Sequence, residues 1–379
     1  MAVPGDGGSR AVPPVPTGPV SGRLGGDSVS SGLVRNRTYG LAVAMAAGMA
    51  IAAILVATVY DLPLRDPDDV AGPTYLRLPG ILALCFLTDV LPRAVRRTGA
   101  CGGLGRALST VVRERWDRPR VQLVAIGLGS WYVTYVAFRN LKSLLPLVRH
   151  DLWDSTFADI DTALMLGHDP ASLLHQLLGR GIAAEVMSVV YIGWLVFIPV
   201  SLAAALVWTR DVRRGMWYIT AVGVDWVLGI ALYYLFPTVG PVYAEPGVFA
   251  GLAETPSSQL AAMMLQERAD VIADPFGTHA VQNIAAFASL HVAITVTAVL
   301  IAQRTGVVAW VRRALWAFLS LTVLATIYLG WHYLLDAFGG FVVGAVAMYV
   351  GAVATGSTER ARQRRSVVED KPLVSQSGR

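Results

Sequence analysis

Apolar stretches separated by polar segments follow one another along the chain after residue 36. Eight of them predict helices of membrane-crossing length, at roughly 39–60, 74–92, 121–138, 182–208, 216–236, 284–302, 314–331 and 335–354. A helix needs about 20 mainly apolar residues to cross the hydrocarbon core of a bilayer. The second stretch is the most polar, because it contains Arg77, Pro79 and Asp89. The pattern predicts an all-α fold, a polytopic membrane helical bundle with about eight transmembrane helices.

The composition supports this prediction. The 379 residues are 54% hydrophobic and only 15% charged, whereas soluble domains carry about 25% charged residues. The formal net charge is +5, but the arginines lie beside apolar stretches, so the charge does not indicate nucleic-acid binding. The two cysteines, Cys85 in an apolar stretch and Cys101 in a basic segment, do not form a disulfide framework. These features indicate an integral membrane protein.

The chain divides into four parts. Residues 1–36 are rich in Pro, Gly and Ser and predict a disordered cytoplasmic tail. Residues 37–120 contain two accessory transmembrane helices and a basic cytoplasmic loop, and residues 121–355 form a six-helix core. Residues 356–379 are a second basic cytoplasmic tail.

The arginines predict the orientation of the bundle. Segments 93–120, 209–214 and 303–313 and the C-terminal tail are rich in arginine, and all fall on one side when eight helices are threaded in order. The loops between the other helix ends are poor in arginine and rich in aspartate. Basic loops remain in the cytoplasm. We therefore expect a multi-pass protein of the cell membrane with the aspartate-rich loops outside.

Two histidines lie at ends of apolar stretches on that outer side. His291 opens the stretch VAITVTAVLIA. His332 closes the stretch LWAFLSLTVLATIYLGW and lies four residues before Asp336. Ionisable groups at membrane depth are costly, so each suggests a function. Asp336 lies one helical turn from His332 and can orient and polarise its imidazole. Two other interpretations are a pair of histidines that hydrogen-bond between helices, and ligands of a haem.

Positive charges follow the third apolar stretch on the same outer side. Arg139 and Lys142, in the segment RNLKS with Asn140, have donors suited to a phosphate. They could instead anchor the helix at the membrane interface. Ser289 could hold a phosphoryl oxygen through its hydroxyl or backbone N–H, or could cap the sixth helix. Asn140 is a candidate substrate contact.

Together these residues predict a metal-free phosphoryl-transfer site that needs no cofactor. His332 would attack phosphorus to form a phosphohistidine, and His291 would protonate the leaving oxygen. Acidic and histidine residues of the outer loops could suggest a metal, but solvated helix faces and a helix cap are the favoured interpretation. That set comprises Asp151, Asp154, Asp159, Asp161, His168, Asp169 and His175. The segment 236–241 predicts a helix exit, with Tyr243 a candidate substrate contact.

These motifs resemble those of the type-2 phosphatidic acid phosphatase superfamily, in which a Ser-x-His motif precedes a His followed four residues later by Asp. The resemblance covers roughly residues 120–355 and is closer to the inositol phosphorylceramide synthase branch. The segments that carry it are RNLKSLLP (139–146), DIDTALMLGHDP (159–170), AFASLH (286–291) and YLGWHYLLD (328–336).

The resemblance implies that His332 is the nucleophile, Asp336 its partner and His291 the acid. It implies a membrane phosphotransferase that transfers inositol phosphate or a similar headgroup. A lipid phosphatase acting on phosphatidic acid or a polyprenyl pyrophosphate, with water as acceptor, is the alternative. Thr326 replaces the arginine of the phosphatases, so Arg139 and Lys142 would bind the phosphate.

The expected partners are a lipid phosphate and membrane lipids, without nucleic acid, and the sequence predicts no oligomeric state. A transporter or scaffold is the non-enzymatic alternative. Many transporters are built from inverted repeats, and the two halves of this chain have no convincing repeat.

Overall fold

The structure is a computed structural model that describes residues 27–67, 74–209 and 211–358. Within these residues all regular structure is helical, which confirms the predicted fold class. The helices are α1 (Asp27–Val59), α2 (Thr74–Cys101), α3 (Leu104–Arg115), α4 (Arg118–Val148), α5 (Asp154–Leu164), α6 (Pro170–Leu178), α7 (Ile182–Ala203), α8 (Val212–Leu235), α9 (Pro241–Ala244), α10 (Pro246–Phe249), α11 (Pro256–Ala273), α12 (Leu290–Thr305), α13 (Ala309–Tyr328) and α14 (Leu334–Ala354). A π-helical turn, Ala204–Trp208, extends α7.

Six of the described helical spans are long and apolar enough to cross a membrane. They are Thr38–Val59, Arg118–Val148, Ile182–Trp208, Val212–Leu235, Ala309–Tyr328 and Leu334–Ala354. Two of the eight predicted segments do not meet this criterion. The sixth begins as a helix only at Leu290, which leaves α12 with 16 residues, and the second corresponds to the more polar α2. The structure is thus a polytopic membrane bundle.

Helices α8, α12 and α14 form the centre of the bundle, and α4, α7 and α13 pack around it. Small residues let α14 approach α12 closely. A Cβ atom on Gly344 would lie 2.3 Å from the carbonyl oxygen of Ala293. The Thr297 hydroxyl lies 2.9 Å from the carboxylate of the buried Asp225 and 3.1 Å from the Gly344 carbonyl. This polar contact joins all three central helices.

The predicted basic loop 93–120 is largely helical. Helix α2 continues to Cys101, and α3 is amphipathic and packs against α2. The buried Asp89 accepts two hydrogen bonds from Arg115, at 2.8 and 2.9 Å, and forms an ion pair with Arg93. A loop was expected because the apolar pattern stops near residue 92, whereas paired charges allow the helix to continue.

The long segments 149–181 and 236–289 lie at one end of the bundle, together with His291 and His332; we call this the histidine end. The opposite end carries Arg93, Arg115 and Arg214 and is called the arginine end. Helices α5, α6 and α9–α11 form the histidine-end segments. Asp169 is the N-cap of α6 and accepts from the Ser172 N–H at 2.6 Å, which agrees with the helix cap expected within the acidic set.

Residues 1–26 and 359–379, which include most of both predicted tails, lie outside the described residues. Helix α1 begins at Asp27, inside the range that was expected to be disordered.

Candidate active site

His291 and His332 contact each other at the histidine end of the bundle. The Nδ1 atom of His291 lies 3.0 Å from the Nε2 atom of His332. His291 occupies the first turn of α12, and His332 lies in the turn between α13 and α14. The sequence placed the two residues at a common depth, and the structure brings their rings into hydrogen-bond distance.

Asp336 orients the His332 ring. Its Oδ2 atom lies 3.1 Å from the Nδ1 atom of His332 and also accepts the backbone N–H of Tyr333 at 2.9 Å. A carboxylate that faces the Nδ1 atom keeps the ring proton on that atom. We therefore assign His332 as the tautomer protonated at Nδ1. The Nε2 atom of His332 then carries a lone pair, which accepts the Nδ1 proton of His291.

Burial keeps His332 neutral. The side chain is 4% exposed, and burial, with the nearby Lys142 ammonium, lowers the pKa of His332 below its ordinary value. A neutral imidazole with its Nδ1 proton held by a carboxylate is a competent nucleophile at Nε2.

Ser289 is the N-cap of α12. Its hydroxyl oxygen accepts from the Val292 N–H at 3.4 Å, and its backbone N–H donates to the Asp336 carbonyl at 3.1 Å. The backbone N–H of Ser289, one of the groups predicted to hold a phosphoryl oxygen, is therefore already bonded within the protein. The cap uses the oxygen of the Ser289 hydroxyl but not its proton. The residue is fully buried.

Lys142 is the basic residue that lies with the histidine pair. Its ammonium is near enough to lower the pKa of His332, and it lies 5.0 Å from the centre of the Tyr233 ring. Arg139 donates to the Tyr135 hydroxyl at 2.9 Å. Burial raises the pKa of Glu267 on α11, and the Arg139 guanidinium partly offsets that rise. The two predicted phosphate ligands thus occupy different surroundings.

Asn140 and Tyr243, the candidate substrate contacts, bind other parts of the chain. The buried Asn140 side chain accepts the backbone N–H of Arg65 at 2.8 Å and donates to its carbonyl at 2.9 Å. Tyr243 lies 3.3 Å from the Ala261 carbonyl and borders a cavity of about 400 Å³ whose wall includes Trp331. Neither has a hydrogen bond to the histidine pair in the structure.

Sequence reasoning did not select three aromatic residues next to His291, of which two contact its ring and the third stacks on one of these two. The rings of Trp194 and Tyr191 lie 4.2 and 4.9 Å from the His291 ring, measured between centroids. Trp331 stacks on Tyr191 at 4.6 Å. The Trp194 Nε1–H group also lies 3.0 Å from the His291 carbonyl. The signal available in the sequence was Trp331 directly before His332 and two aromatic residues three positions apart on one helix.

Two acidic residues of the histidine-end segments are buried, so the expectation of a solvated acidic face is wrong for them. Asp154 is 6% exposed and Asp161 is 3% exposed. Asp154 accepts from the N–H groups of Val239 and Gly240, and Asp161 from those of Leu334 and Leu335. Among the described residues no group of three or more His, Cys, Asp or Glu side chains could hold a metal ion.

The Thr326 position, where the phosphatases have arginine, has a backbone role. Its carbonyl oxygen accepts the N–H groups of both Trp331 and His332, at 2.9 and 3.2 Å. The Thr326 carbonyl, in the last turn of α13, therefore stabilises the following turn that carries His332.

A sequence model of the PAP2 superfamily matches residues 155–350, slightly more than half of the chain. The chain belongs to the PAP2 superfamily. The PAP2 match begins inside α5 and ends inside α14, so it contains His291, His332 and Asp336 but not Arg139 or Lys142. Neither the curated proteins nor the solved structures gave a match.

PAP2 membership establishes the class of activity. The chain is an enzyme of the phosphatase and phosphotransferase kind, and its substrates are lipid phosphates. It is also a membrane protein, as the six membrane-length spans indicate.

Proposed function

We propose that this PAP2 enzyme is a phosphotransferase that moves a phosphoryl-linked headgroup through a phosphohistidine at His332. The observation that supports this most strongly is the chain of contacts from Asp336 to His332 to His291, at 3.1 and 3.0 Å. The His332 ring is oriented as a nucleophile. The Nδ1 proton of His291 is directed at the Nε2 atom of His332 that would attack phosphorus.

In the first step the Nε2 lone pair of His332 attacks phosphorus, and the bond from phosphorus to the leaving oxygen breaks. His291, which is protonated on both ring nitrogens in the substrate complex, gives its Nδ1 proton to that oxygen and becomes a neutral imidazole, so the leaving group departs as a neutral alcohol. In the second step His291 takes the proton of an acceptor hydroxyl, whose oxygen attacks phosphorus and releases His332. Asp336 stabilises the positive charge on the imidazole throughout.

The two rings must separate when a substrate binds. At 3.0 Å, the His291 and His332 nitrogens leave no room for a phosphoryl group between them. After separation the Nδ1 proton of His291 is free to meet the leaving oxygen. Lys142 supplies a positive charge for the phosphoryl oxygens, and Arg139 is the second proposed phosphate ligand.

The aromatic surroundings favour an alcohol over water as acceptor. Tyr191 and Trp194 pack against the His291 ring and Trp331 stacks on Tyr191, an arrangement that would restrict water near the reacting atoms. Inositol or a sugar is the acceptor or headgroup that the inositol phosphorylceramide synthase resemblance suggests. A lipid phosphatase with water as acceptor is the second candidate, because the PAP2 match supports phosphatases and phosphotransferases alike. The Thr326 position, where the phosphatases have arginine, weighs against it.

We place the enzyme in the cell membrane with the histidine end outside. Arginine residues such as Arg93, Arg115 and Arg214 lie at the opposite end of the bundle, and basic ends remain in the cytoplasm. The substrate would then come from the outer leaflet. No metal or cofactor enters the proposed reaction.

The test uses purified full-length protein with radiolabelled lipid phosphates, with and without inositol and with and without EDTA. We expect a labelled inositol phosphate product that depends on inositol, EDTA-resistant turnover, and an acid-labile phosphoprotein that maps to His332. Release of inorganic phosphate or free headgroup alone would select the phosphatase. Loss of turnover in EDTA with recovery on adding a divalent cation would contradict the metal-free mechanism.

A further inference from the structure

We propose that Asp154 and Asp161 on α5 are positioning residues that hold the segments carrying His332 and His291 in their reactive arrangement. The two carboxylates are seven residues apart, two helical turns, and so share one face of α5. Both are buried and neither contacts the histidine rings. The inference rests on the proposed reaction at His332 and adds two residues that this reaction requires.

Asp161 fixes the start of α14. Its Oδ2 atom accepts the backbone N–H of Leu334 at 2.5 Å, and its Oδ1 atom accepts that of Leu335 at 2.9 Å. Asp336 accepts the preceding N–H, that of Tyr333, at 2.9 Å. Two carboxylates therefore bind three consecutive N–H groups directly after His332. The first N–H groups of a helix have no partner within it, and negative charge is favourable there.

Asp154 connects the same turn to the other histidine segment. It accepts the Tyr333 hydroxyl at 2.9 Å and the Gly240 N–H at 2.9 Å. Two residues before Gly240, Thr238 accepts the N–H groups of Ala286 and Phe287 at 3.0 and 2.9 Å, in the segment that leads to His291. The Asp154 carboxylate, through the segment 238–240, thus links the turn that carries His332 to the segment that leads to His291.

The hydrogen-bond count explains why these positions carry aspartate. Asp161 uses both oxygens as acceptors for N–H groups, whereas an asparagine has one oxygen and would direct an N–H₂ group at a backbone donor. The backbone donors already occupy these carboxylates, which argues for positioning rather than for metal binding. Displacement of a reacting group by about 1 Å costs on the order of 100-fold in rate, so this network is expected to affect turnover rather than substrate binding.

The experiment compares Asp161→Asn with Asp159→Asn, a matched change on the exposed face of the same helix. We expect Asp161→Asn to lower kcat by about 10-fold to 100-fold with KM within about twofold of the unaltered enzyme, and Asp159→Asn to change neither. Tyr333→Phe removes only the bond to Asp154, and we expect a smaller fall in kcat, again without a change in KM. Asp161→Glu, which keeps two acceptor oxygens, should recover part of the rate.

A spectroscopic measurement separates this proposal from the proposed function. Nitrogen NMR of imidazole-labelled protein in detergent should show His332 as one tautomer, protonated at Nδ1, and as a mixture in Asp161→Asn. Folding of each variant is checked by its thermal transition, and Tyr333→Phe provides the test if Asp161→Asn does not fold. Unchanged kcat and an unchanged His332 tautomer in the folded variants would overturn the positioning role. Absence of any phosphohistidine in the unaltered enzyme would instead overturn the proposed function.

Discussion

The backbone N–H of Ser289 donates to the carbonyl oxygen of Asp336 at 3.1 Å. This bond joins the N-terminal end of α12 directly to the first turn of α14, although the residues are far apart in sequence. The two histidine motifs therefore form one structural unit. Changes in either motif should affect the reaction as a whole, and the predictions below separate the contributions of individual side chains.

We expect His332→Asn to reduce turnover by about 10⁴-fold or more, because no other side chain in the site is oriented to form the covalent intermediate. Asp336→Asn should keep the fold and cost about 100-fold or more, since the ring loses its orienting carboxylate. Steady-state assays with a labelled lipid phosphate check both, with the exposed His168→Asn as control. Near-normal turnover of His332→Asn would contradict the nucleophile assignment.

The effect of His291→Ala should depend on the leaving group. His291 is proposed to protonate the leaving oxygen, so lipid phosphodiesters with alkoxide leaving groups should slow by about 100-fold or more. An analogous ester with a nitrophenolate leaving group needs no proton and should slow far less. The measurement is kcat/KM for matched esters of graded leaving-group pKa. An equal loss for every ester would show that His291 does not act as the acid.

Lys142→Ala should mainly raise KM for the lipid phosphate. The ammonium meets a phosphate charge that is present in both the bound substrate and the transition state, so its loss weakens both about equally. Lys142→Arg should recover much of the affinity because it keeps the charge. Arg139→Gln provides the comparison for the second proposed ligand, and a fall in kcat for Lys142→Ala at unchanged KM would contradict this role.

The pH dependence should include a contribution from Asp161. Burial raises the pKa of Asp161 from 3.8 to about 6, and the Asp336 and Asp169 carboxylates add to the rise. Below about pH 6 one of its oxygens becomes protonated and ceases to accept a backbone N–H of α14, so kcat should fall. The folded state binds this proton more tightly than the unfolded chain, so this group stabilises the fold most below pH 3.8 and loses that contribution as the pH rises through about 6.

As the pH falls from about 6 to about 4, kcat should therefore fall while the contribution of Asp161 to the free energy of unfolding should rise. The measurements are kcat and the thermal unfolding midpoint across this window, for the unaltered enzyme and Asp161→Asn. The difference in midpoint between the two should vary with pH only in this window. A difference that is independent of pH would mean that Asp161 does not titrate there.

The orientation predicts which sites an impermeant thiol reagent can reach. In a protein without Cys85 and Cys101, Asp159→Cys at the histidine end should be labelled in intact cells. Ser109→Cys on α3 should be labelled only after the cells are opened, although both positions are exposed. Labelling of Ser109→Cys in intact cells would place the active site in the cytoplasm.

The sequence predicted the helical bundle and brought His291, His332 and Asp336 to one end, because hydrophobic stretches and short motifs are local signals. It did not reveal the roles of Asp154 and Asp161. Their partners are backbone N–H groups more than 80 positions away in the sequence, and such contacts depend on how the helices pack. From the sequence alone, polar residues in a loop are expected to be solvated. The seven-residue spacing of Asp154 and Asp161 nevertheless indicated that they share one helix face.

The start of α12 was predicted too early for a related reason. Residues 284–288 are mainly apolar and continue the hydrophobic pattern, but their N–H groups bind Thr238 and Gln282 instead of forming a helix. Helix α12 begins only after Ser289. This extended segment connects the loop after α8 to the catalytic motif.

The contact between the His291 and His332 rings has a consequence for substrate choice. The lone pair that would attack phosphorus is already bonded to the proton of a neighbouring ring, so a substrate must supply free energy to part the two rings. A long lipid can supply it from chain contacts remote from phosphorus, whereas inorganic phosphate or a small soluble ester has little to contribute. The enzyme should accordingly turn over small soluble phosphates poorly and react with lipids whose binding can separate the two histidine rings.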